Sequence, residues 1–447
     1  MSATPAVPPV PPPPDPFAVV RTRGYAVLLV MTALLGVPIA AAAFGFLALV
    51  SELQSLTYTD LPRALGFHGT PSWWSIPLLA VAGLLVALTI RHLPGEAGHK
   101  PAEGLVTTGS PRPVDLPGIA LAAAASLGAG VVLGPEAPLI ALGGGLAVFI
   151  GRAVQRGIRP EASAVLGAAG SFAAVSTLLG SPLLGAFLLM EAAGLGGAMM
   201  AIVLVPGLLS AGIGALFFTG LGSWTGLGTF SLVLHQVPQA ARPDLAGFGW
   251  AVVIGTVAAL GGTGIRRMAL SLQRRVERRR VPVTVLVGAL VGVVALVYAE
   301  STGKDASAVL YSGQDALGPL LAGQAGYSAG ALVLLVLCKS LAYSLSLSAF
   351  RGGPVFPSMF VGAALGLALA HLPGLDATSG FAMGVGAMCV AMLKLPMTSV
   401  LLATLLLGTQ GITVMPVVIV AVVVSYVLTL RLAPAPVPAP APTPAGP

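Results

Sequence analysis

Glu136 is the residue with the most chemistry open to it. It sits in VVLGPEAPLIALGGGLAVFIG, and no other charged side chain occurs between Asp115 and Arg152. An ionised carboxylate at membrane depth costs on the order of a few kcal/mol, so it persists where it faces a cavity, finds a partner or takes up a proton. Pro138 falls near the start of the helix expected to follow, a position where proline is well tolerated. That helix would turn free backbone N–H groups and the positive end of its dipole towards Glu136. Such a place attracts anions, and the carboxylate itself can occupy it in place of one. A glutamate that alternates between blocking the place and leaving it on protonation would be both gate and proton carrier. One that stays put would be a helix cap without a gating role. The residues alone leave both open.

The elements that must position this carboxylate are membrane helices. Hydrophobic types make up 56% of the 447 residues and charged types 8%, far below the roughly 25% of a soluble domain. At about 20 apolar residues per spanning helix, the chain has room for more than ten passes. Apolar runs at 25–50, 76–91, 117–132, 163–178, 182–219, 249–264, 282–298, 329–347, 357–370, 381–393 and 397–430 are the candidates, and the longest must hold more than one element. Many are short or broken, and glycine and proline, 58 and 38 in the whole chain, occur within and between them. Broken backbone is tolerated in lipid only where it is buried in protein or lines a polar cavity, which predicts tilted, re-entrant and half-spanning helices around an internal site. Residues 1–20 form a proline-rich head expected to be disordered in the cytoplasm, 433–447 a similar Pro/Ala tail, and 21–432 one transmembrane domain. The head lacks the order of a secretory signal, and Arg21 and Arg23 argue that it stays inside.

The net charge of +7 arises from 22 Lys and Arg against 15 Asp and Glu. Seven arginines fall in 266–280, between two apolar runs, as expected for helix ends among cytoplasmic head groups. No basic module interleaved with aromatics is present, so nucleic acid is not an expected partner. The bilayer is. Cys338 and Cys389 lie in apolar stretches and have no CxxC or His/Cys spacing, so no metal or redox cofactor is expected. The histidines His68, His92, His99, His235 and His371 are isolated from one another, no HExxH or comparable hydrolase motif occurs, and TGKD at 302–305 lacks phosphate-loop spacing. An enzyme is therefore not expected.

Two halves, about 21–245 and 246–432, look loosely alike. Each has a Gly/Pro-interrupted motif followed by an apolar run with a further proline: Gly134-Pro135-Glu136-Ala137-Pro138 with Ser181-Pro182, and Gly352-Gly353-Pro354-Val355-Phe356-Pro357 with Leu395-Pro396. Interrupted segments at corresponding positions point to a midplane site in an inverted repeat.

On these motifs the chain resembles the CLC chloride channel and chloride–proton antiporter family. LGPEAPLIALGGGLAVFIGR is similar to its Gly-Lys/Arg-Glu-Gly-Pro signature, with Gly134, Glu136, Pro138, Gly143 and Gly144 on matching positions and Pro135 and Ala137 in place of the basic residue and glycine. KSLAYSLSLSAFRGGPVFPSMFVGAALG resembles the lysine and Gly-Gly-x-Phe-x-Pro segment. Lys339, Gly352, Gly353, Pro357, Gly362 and Gly366 match, Val355 stands on the phenylalanine position, and Phe356 is displaced by one. Glu191 matches the first of two acidic positions and Ala192 stands on the second, the inner proton glutamate of coupled members. LKLPMTSVLLATLLLG resembles the Arg-x-Pro-Leu-Thr helix. The Gly-Ser-Gly-Ile-Pro motif is met only by Ala97-Gly98-His99-Lys100-Pro101, and the central tyrosine after the last helix has no counterpart.

The resemblance implies an all-α polytopic membrane protein of the cell (inner) membrane, with a CLC-type inverted repeat of tilted and re-entrant helices. It implies a homodimer moving chloride or a similar small anion. Glu136 would gate and carry protons, with Glu191 as a further candidate. The anion site would comprise Gly134, Ala137, Gly353 and the N–H groups of Val355 and Phe356. Gly98, His99 and Lys100 would form an inner mouth, where His99 and Lys100 add positive charge. A proton-coupled antiporter and, more remotely, a cation-coupled solute carrier are the alternatives.

Overall fold

The computed structural model describes residues 18–105, 109–155, 157–194, 196–225, 232–234 and 236–433. Most of the proline-rich head, the Pro/Ala tail from 434 and His235 lie outside them. Ala18–Arg21 forms a 3-10 turn.

The described chain is helical: α1 (Arg23–Ser55), α2 (Leu61–Ala64), α3 (Ser75–His92), α4 (Leu116–Gly128), α5 (Glu136–Val154), α6 (Pro160–Leu179), α7 (Pro182–Ala192), α8 (Gly197–Thr225), α9 (Leu245–Arg278), α10 (Arg280–Thr302), α11 (Leu317–Ala322), α12 (Ala329–Ala349), α13 (Val355–Leu369), α14 (Ala377–Leu393), α15 (Pro396–Leu406) and α16 (Thr409–Leu432). Among these, eight stretches are long and apolar enough to cross a bilayer, and further apolar helices such as α7, α13 and α15 are shorter. The protein is a multi-pass membrane protein. The run at 182–219 divides into α7 and α8, and that at 397–430 into α15 and α16. The apolar helix after Glu136, absent from the runs above, is α5, a full 19 residues.

Local sequence explains many of the boundaries. Side chains of Thr22, Ser181, Asp244, Ser328 and Asp376 accept N–H bonds from the first turns of α1, α7, α9, α12 and α14, supplying donors' partners that a helix cannot supply itself. Prolines open α6, α7 and α15, where a missing N–H costs nothing. The arginine-rich segment forms the tight α9–α10 turn, with Arg274, Arg275, Arg278 and Arg279 exposed.

The inverted repeat is visible in the packing. In the first half α1 packs on α6 and α8, α6 packs on α5 and α8, and α7 lies against α6 and α8. In the second half α9 packs on α14 and α16, α14 on α13 and α16, and α15 against α14 and α16. The halves meet where α3 packs on α10 and α7 on α15.

Glycine seams draw equivalent helices to backbone contact. A methyl on Gly143 or Gly170 would collide with the other's carbonyl at the α5–α6 seam, and one on Gly362, Gly366 or Gly384 would collide with a backbone carbonyl at the α13–α14 seam. With no hydrophobic drive between helices in lipid, such contact is what holds them. Gly366→Val is expected to cost about 2 kcal/mol or more, since backbone must move to admit it. Thermal unfolding of the detergent-solubilised protein would show this, and an unchanged midpoint would mean that the seam is looser than its geometry.

Candidate functional site

The two Gly/Pro motifs meet. Gly134 and Gly353 form an isolated antiparallel bridge, the Gly134 N–H donating to the Gly353 carbonyl at 2.8 Å and the Gly353 N–H to the Gly134 carbonyl at 2.6 Å. Immediately beyond the bridge each strand turns through a proline and starts a helix: Pro135 precedes α5 and Pro354 precedes α13. Two helix N-termini, one from each half, thus face one place, and proline before each helix removes no bond the helix needs.

Glu136 fills that place. It is 1% exposed. Its Oε1 accepts a hydrogen bond from the Val355 N–H, and the Phe356 N–H also acts on the carboxylate. Its Oε2 is buried and has no partner among the described residues. A methyl on Gly134 or on Gly353 would overlap the carboxylate, so both bridge positions must be glycine for the side chain to lie there. Ala137, next in α5, is partly exposed between buried neighbours. The structure therefore brings Gly134, Glu136, Ala137, Gly353, Val355 and Phe356 together.

Symmetry-related serines fix the bridge. Ser346 on α12 accepts from the Val132 N–H at 3.2 Å, and Ser126 on α4 accepts from the Arg351 N–H at 3.3 Å. Val132 and Arg351 each stand two residues before a bridge glycine. The Tyr343 hydroxyl, fully buried, donates to the Pro354 carbonyl at 2.7 Å and so pins the start of α13. The hydroxyl of Ser358 donates to the Val355 carbonyl at 2.6 Å. Lys339 is fully buried and clamps a loop, donating to the carbonyls of Ala308, Leu310 and Tyr311 at 3.2, 2.6 and 3.1 Å.

Three expectations change. Glu191 is engaged elsewhere: its carboxylate accepts from the N–H groups of Met397 and Thr398 at 2.9 and 2.8 Å and from the Thr398 hydroxyl at 2.6 Å. It caps α15, where free donors and the positive dipole end reward a negative charge. Lys100 adds no free positive charge, because it is ion-paired to Glu277 at 2.7 Å. Nor is His99 a ready charge: partial desolvation, against an opposing pull from Glu103, lowers its pKa from the usual imidazole value and so disfavours the cation. Gly98 has φ +88° and faces Ile119 of α4. These three belong to the loop at 93–104 and make no hydrogen bond to Glu136 among the described residues.

Sequence reasoning passed over Arg351, which reaches that loop. Its Nε and Nη2 donate to the Glu96 carbonyl at 3.3 and 3.1 Å, joining the 93–104 loop to the second motif. A signal was present: Arg351 is the single Asp, Glu, Lys or Arg between Lys339 and Asp376.

Comparison with known proteins identifies the family and the fold. The family model described as voltage gated chloride channel matches residues 82–430. The chain belongs to that family. Among curated relatives, "Putative ion-transport protein YfeO" of Escherichia coli O139:H28 (strain E24377A / ETEC) is 31% identical over 336 residues, covering 74% of this chain and 76% of the relative. Two similar solved structures share the fold. One is a slow cyanobacterial Cl-/H+ antiporter, with a TM-score of 0.75, 19% identity and coverage of 92% of this chain and 95% of that one. The other is a CLC-type fluoride/proton antiporter, with a TM-score of 0.69, 18% identity and coverage of 91% and 96%. The CLC family consists of channels and transporters, so this chain is a transport protein and not an enzyme.

The cap made by Glu191 has a measurable worth. Glu191→Ala is expected to lower stability by about 1–2 kcal/mol, and Glu191→Gln by less, because one acceptor remains. Thermal melts of the purified variants test this; an Ala variant as stable as the parent would remove the cap from the account.

Proposed function

We propose that this CLC-family protein moves chloride or a similar small anion through the place where the N-termini of α5 and α13 converge, with Glu136 as its gate. One observation carries the reading: a carboxylate, itself an anion, lies on the backbone N–H groups of Val355 and Phe356. A site that holds a carboxylate by N–H groups and helix dipoles offers a permeant anion the same replacement for its hydration shell. Glu136 and the anion then compete for one set of donors. The partnerless Oε2 provides an oxygen that takes a proton without first breaking a bond.

The sign of the pH dependence follows. Protonation removes the charge that the N–H groups attract and weakens their hold on the side chain. Flux rises as pH falls and declines as pH rises. The second reading is coupled anion–proton exchange, favoured by the two antiporters whose fold this chain shares. It needs an inner proton route other than Glu191, which is bonded to α15. In keeping with the family resemblance, we propose a homodimer with one pathway per subunit.

Anion efflux from proteoliposomes, recorded together with external pH, tests the gate. The native chain is expected to release chloride faster at about pH 5 than at about pH 8, the range over which a buried carboxyl can titrate. Glu136→Gln, which cannot carry the charge, is expected to lose that dependence. Undiminished pH sensitivity in Glu136→Gln would remove Glu136 as gate. Opposing proton movement in the native chain alone would identify exchange, and its absence would identify an uncoupled pathway.

A further inference from the structure

Arg351 is a buried cation without a direct ion pair among the described residues. It is 6% exposed, and no carboxylate lies within ion-pair distance of it among the described residues. The acids whose charges reach it, Glu96, Glu103 and Glu277, act from beyond ion-pair distance, and two of them have other partners: Glu277 bonds Lys100 and Gln273, and Glu103 bonds Gln273. A guanidinium has five N–H donors. Three are used, on the Glu96 carbonyl from Nε and Nη2 and on the Phe350 carbonyl from Nη1. Two remain. Arg351 borders a narrow cleft lined also by Lys100, Gln273, Glu277, Arg280 and Ser348, on the side of the arginine-rich α9–α10 turn. Burying a cation without a direct ion pair is expensive, and packing alone does not require it, because the symmetry-related position holds Val132.

Resting on the anion reading above, we infer that Arg351 is a specificity-determining residue. Its two spare N–H groups hold the permeating anion between the cleft and the Gly134/Gly353 bridge, one step from the donors at Val355 and Phe356. The ligand class is a small, weakly basic inorganic anion such as chloride, bromide or nitrate. The guanidinium supplies the positive charge that Lys100, paired to Glu277, does not.

Arg351 also joins the 93–104 loop to the second motif, so the test must separate charge from scaffolding. Chloride flux into proteoliposomes is measured against chloride concentration for the native chain, Arg351→Lys and Arg351→Gln, along with the reversal potential in a salt gradient. Lysine keeps the charge but loses the fork onto Glu96. Arg351→Gln is expected to raise the half-saturating chloride concentration about tenfold or more and to weaken anion-over-cation selectivity, with Arg351→Lys close to the native chain in both. Variants that behave alike, with native half-saturation and selectivity, would overturn the inference and leave Arg351 a scaffold residue. If neither variant folds, the native protein crystallised in bromide decides: anomalous density beside the guanidinium supports the site, and density only at Val355 and Phe356 overturns it. A native chain that moves no chloride, bromide or nitrate would instead overturn the anion reading, and this inference with it.

Discussion

Two backbone hydrogen bonds between glycines hold the centre of this protein in a state that it would not otherwise adopt. They fix the N-termini of α5 and α13 against one another. Each terminus carries roughly half a positive charge and N–H groups that its own helix cannot satisfy. Two such ends repel across a medium of low dielectric, and their donors lack water. The arrangement is stable only with something negative between them. The Glu136 carboxylate is that guest here, supplied by the chain from the first residue of α5. A protein built this way has an appetite for anions before any side chain is chosen for the purpose.

The rest of the architecture keeps those ends in place. Each half contributes a helix running up to the bridge, and each of those helices places a serine on the strand of the other half. The restraint is reciprocal, so neither half can set the site alone. Tyr343 and Ser358 secure the first turn of α13 through its carbonyls, which leaves the N–H groups of Val355 and Phe356 free to point at the carboxylate. The prolines before each helix end the bridge after one pair of bonds. Had an ordinary residue stood at Pro354, a further N–H would have competed for the guest.

Much of this was legible in the sequence, for physical reasons that differ by residue. Glu136 stood out because a lone acid in an apolar run demands an explanation. The meeting of the two motifs was foreshadowed by Gly-Pro interruptions at matching places, since interrupted backbone must be buried at a site. The bridge itself was not legible, because it joins residues far apart in the chain by main-chain atoms that every residue has. The bonding of Glu191 was not legible for a related reason. Its partners are N–H groups of α15, which only the tertiary packing brings to it. Lys100 and His99 were counted as charges because nothing local showed an ion pair with Glu277 or the desolvation of an imidazole. Arg351 broke an apolar stretch as plainly as Glu136 did, but it lay inside a motif valued for its glycines.

The glycine seams carry a consequence for how fast the protein works. Where α5 meets α6 and α13 meets α14, backbone touches backbone, and helices locked so closely do not slide or rock past one another without breaking van der Waals contact along their length. On the gate proposed for Glu136, the moving part then shrinks to the few atoms beyond the Cβ of one glutamate. Side-chain rotation of that kind belongs to far shorter times than the microseconds to milliseconds of collective domain motion. Throughput of the proposed gate is then set by proton arrival and by the depth of the anion's own well, with little asked of the helices.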